Sequence, residues 1–206
     1  MPLSLPQLSY TYADYATWPD DARYELIDGE AYLMSPAPKR AHQEICGEIF
    51  RQLADYLEGK DCRAFIAPFD VRLNAKKADD TVVQPDIVVV CDPKKLDEHG
   101  CVGAPDMVVE VLSPSSIKHD KMVKLELYRR HGVREYWTVD PDILLVEAHI
   151  LRDNEYFIHA YGDSGEAPVS LFADCRINLD TIFRYSPRKN IGDATPSVNT
   201  PPVVKK

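Results

Sequence analysis

Gln84-Pro85-Asp86-Ile87-Val88-Val89-Val90 and, at residues 105–112, Pro-Asp-Met-Val-Val-Glu-Val-Leu are the two runs on which the fold of this chain turns. Each opens with Pro-Asp and continues through aliphatic residues without polar alternation. Such runs fit strands covered on both faces, because a strand with one wet face alternates. Two acids belong to them. Asp86 opens the first run, and Glu110 interrupts the second at a point where every neighbour favours burial. An ionised carboxylate there is costly unless it is paired or holds a cation. A solvated edge-strand face is the plain alternative for Glu110, and Pro-Asp is a common strand entrance. Two acids on adjacent apolar strands also suit a hard, oxygen-seeking cation such as Mg²⁺ or Mn²⁺.

Upstream, residues 10–20 predict a short helix with Thr11 as N-cap, closed by Pro19. Residues 23–34 form two apolar-rich runs joined by Asp28-Gly29, the pair that a type I′ hairpin turn favours. From Lys39 to Leu57 the pattern is helical: Ile45, Ile49, Leu53 and Leu57 recur every four residues, Cys46 and Phe50 widen the stripe, and Gly59 stands at the C-cap. Residues 62–73 read as one extended segment and 92–104 as a loop.

Downstream, residues 113–132 predict a helix with serines before it and Gly132 after it. Asp120, Lys124 and Tyr128 are spaced i, i+4, i+8 and share a face. An ion pair with an aromatic at its edge explains them plainly; the functional reading turns Lys124 toward a phosphate. Lys121 points elsewhere and reads as solvated. Ser113 and Ser115 read as caps, since no GxSxG surrounds them. Residues 135–140, 143–151 and 155–162 read as strands, whose aromatics Tyr136, Trp137, Tyr156 and Phe157 suit a core or a dimer contact. The whole predicts one α/β (α+β) domain over 10–185: a mixed central sheet flanked by helices, with a C-terminal β-hairpin extension. Residues 1–9 read as an N-terminal extension and 186–206, rich in Pro, Ser and Thr, as a flexible tail.

The 206 residues are 45% hydrophobic, enough for one core without disulfide staples. The five cysteines form no CxxC pair and are odd in number, which reads as reduced thiols in a cytoplasmic protein. No secretory signal and no apolar run of about 20 residues are visible, so no membrane span is expected. The formal net charge of -9 argues against a sequence-independent nucleic-acid clamp, but leaves room for an acid-lined metal site with a local basic rim. With neither a P-loop nor GxGxxG, no nucleotide cofactor is expected.

The strings YELIDGEAYLMSPAP, His42, QPDIVVV, DMVVEVLSPSS, DxxxKxxxY and GVREYWTVDP, in this order, resemble the Uma-type restriction endonuclease family of the PD-(D/E)XK nuclease-like superfamily, over about residues 10–185. The resemblance implies a restriction-endonuclease-like core with Asp86 and Glu110 as metal ligands. The standard motif would place a lysine where this chain has Leu112; in the similar family it comes from the following helix, here Lys124. Glu25 and His42 also match, Glu25 to complete an acidic pocket and His42 to bind phosphate or water. The expectation is a Mg²⁺- or Mn²⁺-dependent endonuclease acting on nucleic acid, DNA before RNA, with a homodimer as the form suited to cutting both strands. Asp86, Glu110 and Lys124 are the expected catalytic residues, the Val111 carbonyl is a further metal ligand, and Asp120 and Tyr128 are accessory. The rival is a nuclease-like fold kept as a non-catalytic binding or assembly module.

Overall fold

The computed structural model describes residues 9–19, 23–34, 38–184 and 186. The expected N-terminal extension, apart from Ser9, and the expected tail, apart from Ser186, lie outside the described residues.

The two valine runs become β6 and β9 below, buried at every position. In chain order, α1 (Tyr12–Tyr15) leads to the hairpin β1 (Tyr24–Ile27) and β2 (Glu30–Leu33). Its turn has positive φ at both Asp28 (52°) and Gly29 (80°), as the Asp-Gly signal requires. The amphipathic helix α2 (Arg40–Leu57) buries Ile45, Cys46, Ile49, Leu53 and Leu57. Next come β3 (Arg63–Ile66), β4 (Asp70–Arg72), β5 (Val82–Val83), β6 (Ile87–Val90), β7 (Leu96–Asp97), β8 (Gly100–Val102) and β9 (Met107–Val111). A π-helical stretch (His119–Lys124) runs directly into α3 (Leu125–His131), which Gly132 ends in the left-handed conformation. The remainder is β10 (Glu135–Asp140), β11 (Leu145–Arg152), β12 (Glu155–Tyr161), the C-terminal hairpin β13 (Glu166–Pro168) and β14 (Arg176–Asn178), and α4 (Leu179–Ile182).

The fold is a mixed α+β architecture, and its long strands divide between two six-stranded sheets. One has the order β2-β1-β5-β4-β8-β7 and the other β12-β11-β10-β9-β6-β3. Each contains one parallel pair, β4 with β8 and β9 with β10. The second sheet is the central one, and the period of two along its strands sorts side chains between two cores. Ile87, Val89, Met107, Val109 and Trp137 pack against α2 and the C-terminal hairpin. Val88, Val90, Val108 and Tyr136 pack with α3 and the first sheet. Burial on both faces accounts for the unbroken valines, each contributing roughly 1.5–3 kcal/mol. Glu110 falls on the second of these faces.

Three expectations need correction. Residues 62–73 are not one extended segment: the chain breaks at the cis Ala67–Pro68 peptide, and β3 and β4 enter different sheets. Residues 92–104 are not a loop, because β7 and β8 complete an edge of the first sheet; two and three residues are too short for a periodicity to show. The cysteines are not all thiols, for Cys62 and Cys91 form a disulfide. Arg63 pairs with Val90, so the residues just outside that pair face each other across β3 and β6, a relation made by register. Cys46, Cys101 and Cys175 are free and buried. No helix among the described residues is long and apolar enough to cross a membrane.

Candidate active site

Five elements aim polar side chains into one pocket of about 590 Å³ where the two sheets meet. Glu25 comes from β1, Asp86 from the start of β6, Glu110 from β9, and Asp120 and Lys124 from the π-helical stretch. His42 comes from the first turn of α2. The chain crosses from the first sheet to the second in the three residues 84–86, which brings Glu25 and Asp86 to the same cavity.

Lys124 is at the centre. Its Nζ lies 2.8 Å from Glu25 Oε1, 2.9 Å from Glu110 Oε1 and 3.7 Å from Asp120 Oδ1. The lysine side chain is 5% exposed and none of the three acids exceeds 6%. Tyr128 donates its hydroxyl to Glu110 Oε1 at 3.0 Å. Gln84 donates its backbone N–H to Glu25 Oε1 at 3.0 Å, and His119 Nε2 stands 3.5 Å from Glu25 Oε2. Asp86 faces a different set. Its Oδ2 accepts from the Val111 N–H at 2.8 Å and lies 3.2 Å from His42 Nε2.

The electrostatics follow from burying three acids around one ammonium. Burial alone would raise Glu25, but the Lys124 charge, the nearby His119 ring and hydrogen bonds from Lys124 and Gln84 outweigh it and hold the carboxyl at about 2. For Glu110, burial and the neighbouring Asp120, Asp86 and Glu25 outweigh Lys124, and the carboxyl is pushed well above its ordinary range. Asp120 is raised by burial and by the neighbouring Glu25 and Asp86 against the opposition of Lys124. Burial would strip the proton from Lys124, but the acids hold it on and raise the ammonium well above its usual value.

Every residue expected from the sequence therefore meets in or beside this pocket: Glu25, His42, Asp86, Glu110, Val111, Asp120 and Lys124 line it, and Tyr128 reaches it through Glu110. The spacing of Asp120, Lys124 and Tyr128 survives the π turn well enough to keep all three on the site face. Leu112, at the standard lysine position, is buried and donates its N–H to the Val139 carbonyl. Ser113 acts as a cap, its Oγ accepting from the Ser116 N–H at 3.2 Å. Lys121 is not solvated: it pairs with Glu147, which also accepts from Thr138. The sequence reading missed His119, Ser116 and Gln84. An α-helical period turns His119 away from Asp120, and nothing in the residue order announces a π turn.

The donors here fit a divalent cation. Asp86 and Glu110 supply hard oxygens at the pocket wall, with His42 Nε2 beside Asp86. His42, Cys46 and Asp86 place one ligand atom each within 4.8 Å of one another. The thiol is nonetheless unsuited to share that ion. Cys46 Sγ meets His42 Nδ1 at 3.5 Å, whereas Asp86 meets Nε2, and one ion takes only one nitrogen of a ring. Burial and the Asp86 and Glu110 charges also push the Cys46 thiol up, away from the thiolate a metal needs.

Comparison with known proteins bears on the family and the fold. A family model described as "Uma2: Putative restriction endonuclease" matches residues 12–180. An uncharacterized protein of Synechocystis sp. is 28% identical over 171 residues, covering 82% of this chain and 84% of its own. A crystal structure from Anabaena variabilis, described as a putative nuclease belonging to DUF820, superposes with a TM-score of 0.68 at 21% identity. It covers 85% of this chain and 98% of its own, and is similar in fold.

Proposed function

The chain belongs to the Uma2 family, and from that premise we propose that its domain hydrolyses nucleic-acid phosphodiesters, DNA first, with a divalent cation, Mg²⁺ or Mn²⁺, held by Asp86, Glu110 and the Val111 carbonyl. The observation that carries the reading is the meeting of Glu25, Asp86, Glu110, Asp120 and Lys124, from four separate elements, in one pocket. Structural ion pairs would be satisfied by fewer acids; three around one ammonium form an acidic cage with charge to spare. When bound, the cation would screen the scissile phosphate and lower the pKa of an attacking water. The protein's own groups do the rest. Lys124 presents positive charge to the phosphoryl oxygens as they gain charge in the transition state. Asp86 is oriented by the Val111 N–H and His42, and Tyr128 fixes the rotamer of Glu110. Arg23 and Lys39 at the wall supply a local basic rim on an acidic chain, where a phosphate backbone would approach.

The homodimer suited to cutting both strands has a candidate surface at the edge of β12, which pairs only with β11 among the described residues and where Phe157 and Ile158 are 52% and 57% exposed. The strand holds a regular register with β11 through Glu155, carrying neither lysine nor proline to guard its edge. Two copies paired antiparallel about Ile158 would oppose Glu155 to Tyr161 and Phe157 to His159, with no like charges face to face. Sedimentation should give a dimer that Ile158→Lys makes monomeric; a monomeric wild type would discard this pairing.

The activity is tested on a panel of DNA and RNA substrates with Mg²⁺ and Mn²⁺, comparing wild type with an Asp86→Asn, Glu110→Gln double variant. The expected result is cleavage that chelator abolishes and that the variant lowers by a factor on the order of 10³ or more. Absence of cleavage together with absence of metal binding would leave a non-catalytic nuclease-like module.

A further inference from the structure

The polar groups of the pocket fall into two sets. Asp86 turns to His42 and the Val111 N–H. Glu25, Glu110 and Asp120 turn to Lys124, which lies within 3.7 Å of an oxygen of each. Glu110 belongs to both arrangements, since it lines the pocket with Asp86 while its Oε1 accepts from Lys124. A carboxylate shared between two cationic positions is the bridging element that two-metal phosphodiesterase centres are built around. Here one of the two positions is already filled by a cation belonging to the chain.

We propose that the Lys124 ammonium is the permanent second cation of a one-metal centre, seated in a cage of Glu25, Glu110 and Asp120 that would otherwise take a divalent ion. The inference rests on the metal-nuclease reading for the first ion, at Asp86. Three features support the assignment. The cage carries up to three negative charges against one positive, more than an ion pair requires. Two of the acids are also held by groups other than Lys124, Glu25 by the Gln84 N–H and Glu110 by the Tyr128 hydroxyl, so the cage has supports besides the ammonium. The ammonium is also buried with them rather than swinging in solvent, so it acts as a fixed charge. A lysine nitrogen sits about 2.8 Å from its oxygens, whereas Mg²⁺ demands about 2.1 Å and Mn²⁺ is the more tolerant probe.

Counting Mn²⁺ by equilibrium titration, with free ion read from its electron paramagnetic resonance signal, tests the proposal without reference to activity. Wild type should bind one Mn²⁺, removed by Asp86→Asn. Lys124→Ala should bind two, the second lost again when Glu25→Gln is added. One ion at unchanged affinity in Lys124→Ala would overturn the proposal while leaving the Asp86 site in place. No ion in either protein would overturn both. Binding by Lys124→Ala alone would support the cage and remove the ion at Asp86. Lys124→Met, which keeps the side-chain volume, and circular dichroism guard against a chain that fails to fold. A further measurement uses wild type only: burial should slow exchange of the Lys124 Nζ–H protons enough to give a resonance, and that resonance should persist when Mg²⁺ is added. Its loss would mean that the entering ion displaces the lysine, and the assignment would fall.

Discussion

Glu110 and Glu135 are both carboxylates within strands of the same sheet, on the neighbours β9 and β10, and both are almost fully buried. Their partners differ in kind. Glu135 accepts from the Trp137 indole at 2.7 Å and from the backbone N–H groups of Ser170 and Leu171 at 3.0 Å each. All three donors are neutral, rigid and part of the core, and they tie the C-terminal hairpin to the central sheet. Glu110 shares one buried ammonium with two other acids and opens on a pocket. Burial raises both carboxyls, against hydrogen bonds at Glu135 and chiefly against Lys124 at Glu110. A buried acid saturated by fixed neutral donors is a staple; one that competes with its neighbours for a single cation is poised for chemistry.

That contrast is broken most severely at Glu135. Glu135→Ala leaves an indole N–H and two backbone N–H groups buried without an acceptor, at roughly 1–3 kcal/mol each. The expected result is a loss of several kcal/mol in denaturant unfolding, with the cleavage rate per folded molecule unchanged. Glu110→Gln should do the reverse, abolishing cleavage while leaving the melting temperature at neutral pH equal to or above wild type, because the neutral amide replaces a carboxyl that burial and neighbouring acids already push toward its protonated form. A stability loss at Glu110 as large as at Glu135 would erase the distinction.

The same contrast separates what the residue order announces from what it hides. Asp86 and Glu110 stand out because they interrupt apolar runs, and the i, i+4, i+8 spacing exposes Asp120, Lys124 and Tyr128. Glu25 and His42 carry no such mark; only the resemblance to a family singles them out, because their proximity to Asp86 and Lys124 is created by the junction of two sheets. Glu135 is silent for the opposite reason. It opens a strand as glutamates often do, and its acceptors' donors at Ser170 and Leu171 are 35 and 36 residues away. The Cys62–Cys91 bridge, the split of 62–73 between two sheets and the strands within 92–104 are likewise products of register and tertiary pairing. Local propensity fixes which segments are strands; it does not assign them to sheets.

Within the cage itself, pH sharpens the comparison at smaller amplitude. Glu25 is held at about 2 against an ordinary 4.5, so its ionised form stabilises the fold. The unfolded chain takes up its proton first as pH falls, so this stabilisation is complete above 4.5 and is lost between about 4.5 and 2. Glu25→Gln should therefore cost roughly 3 kcal/mol at neutral pH and progressively less on acidification through that window. Glu110 has the opposite sign. Its folded carboxyl holds a proton that the unfolded chain has released above 4.5, so it weakens the fold as pH rises from there, and Glu110→Gln should flatten that decline. Urea unfolding of the two single variants from pH 3 to 8 reads both slopes. Parallel curves would mean that the two acids are not competing for Lys124, and the three-acid cage would reduce to one ordinary ion pair.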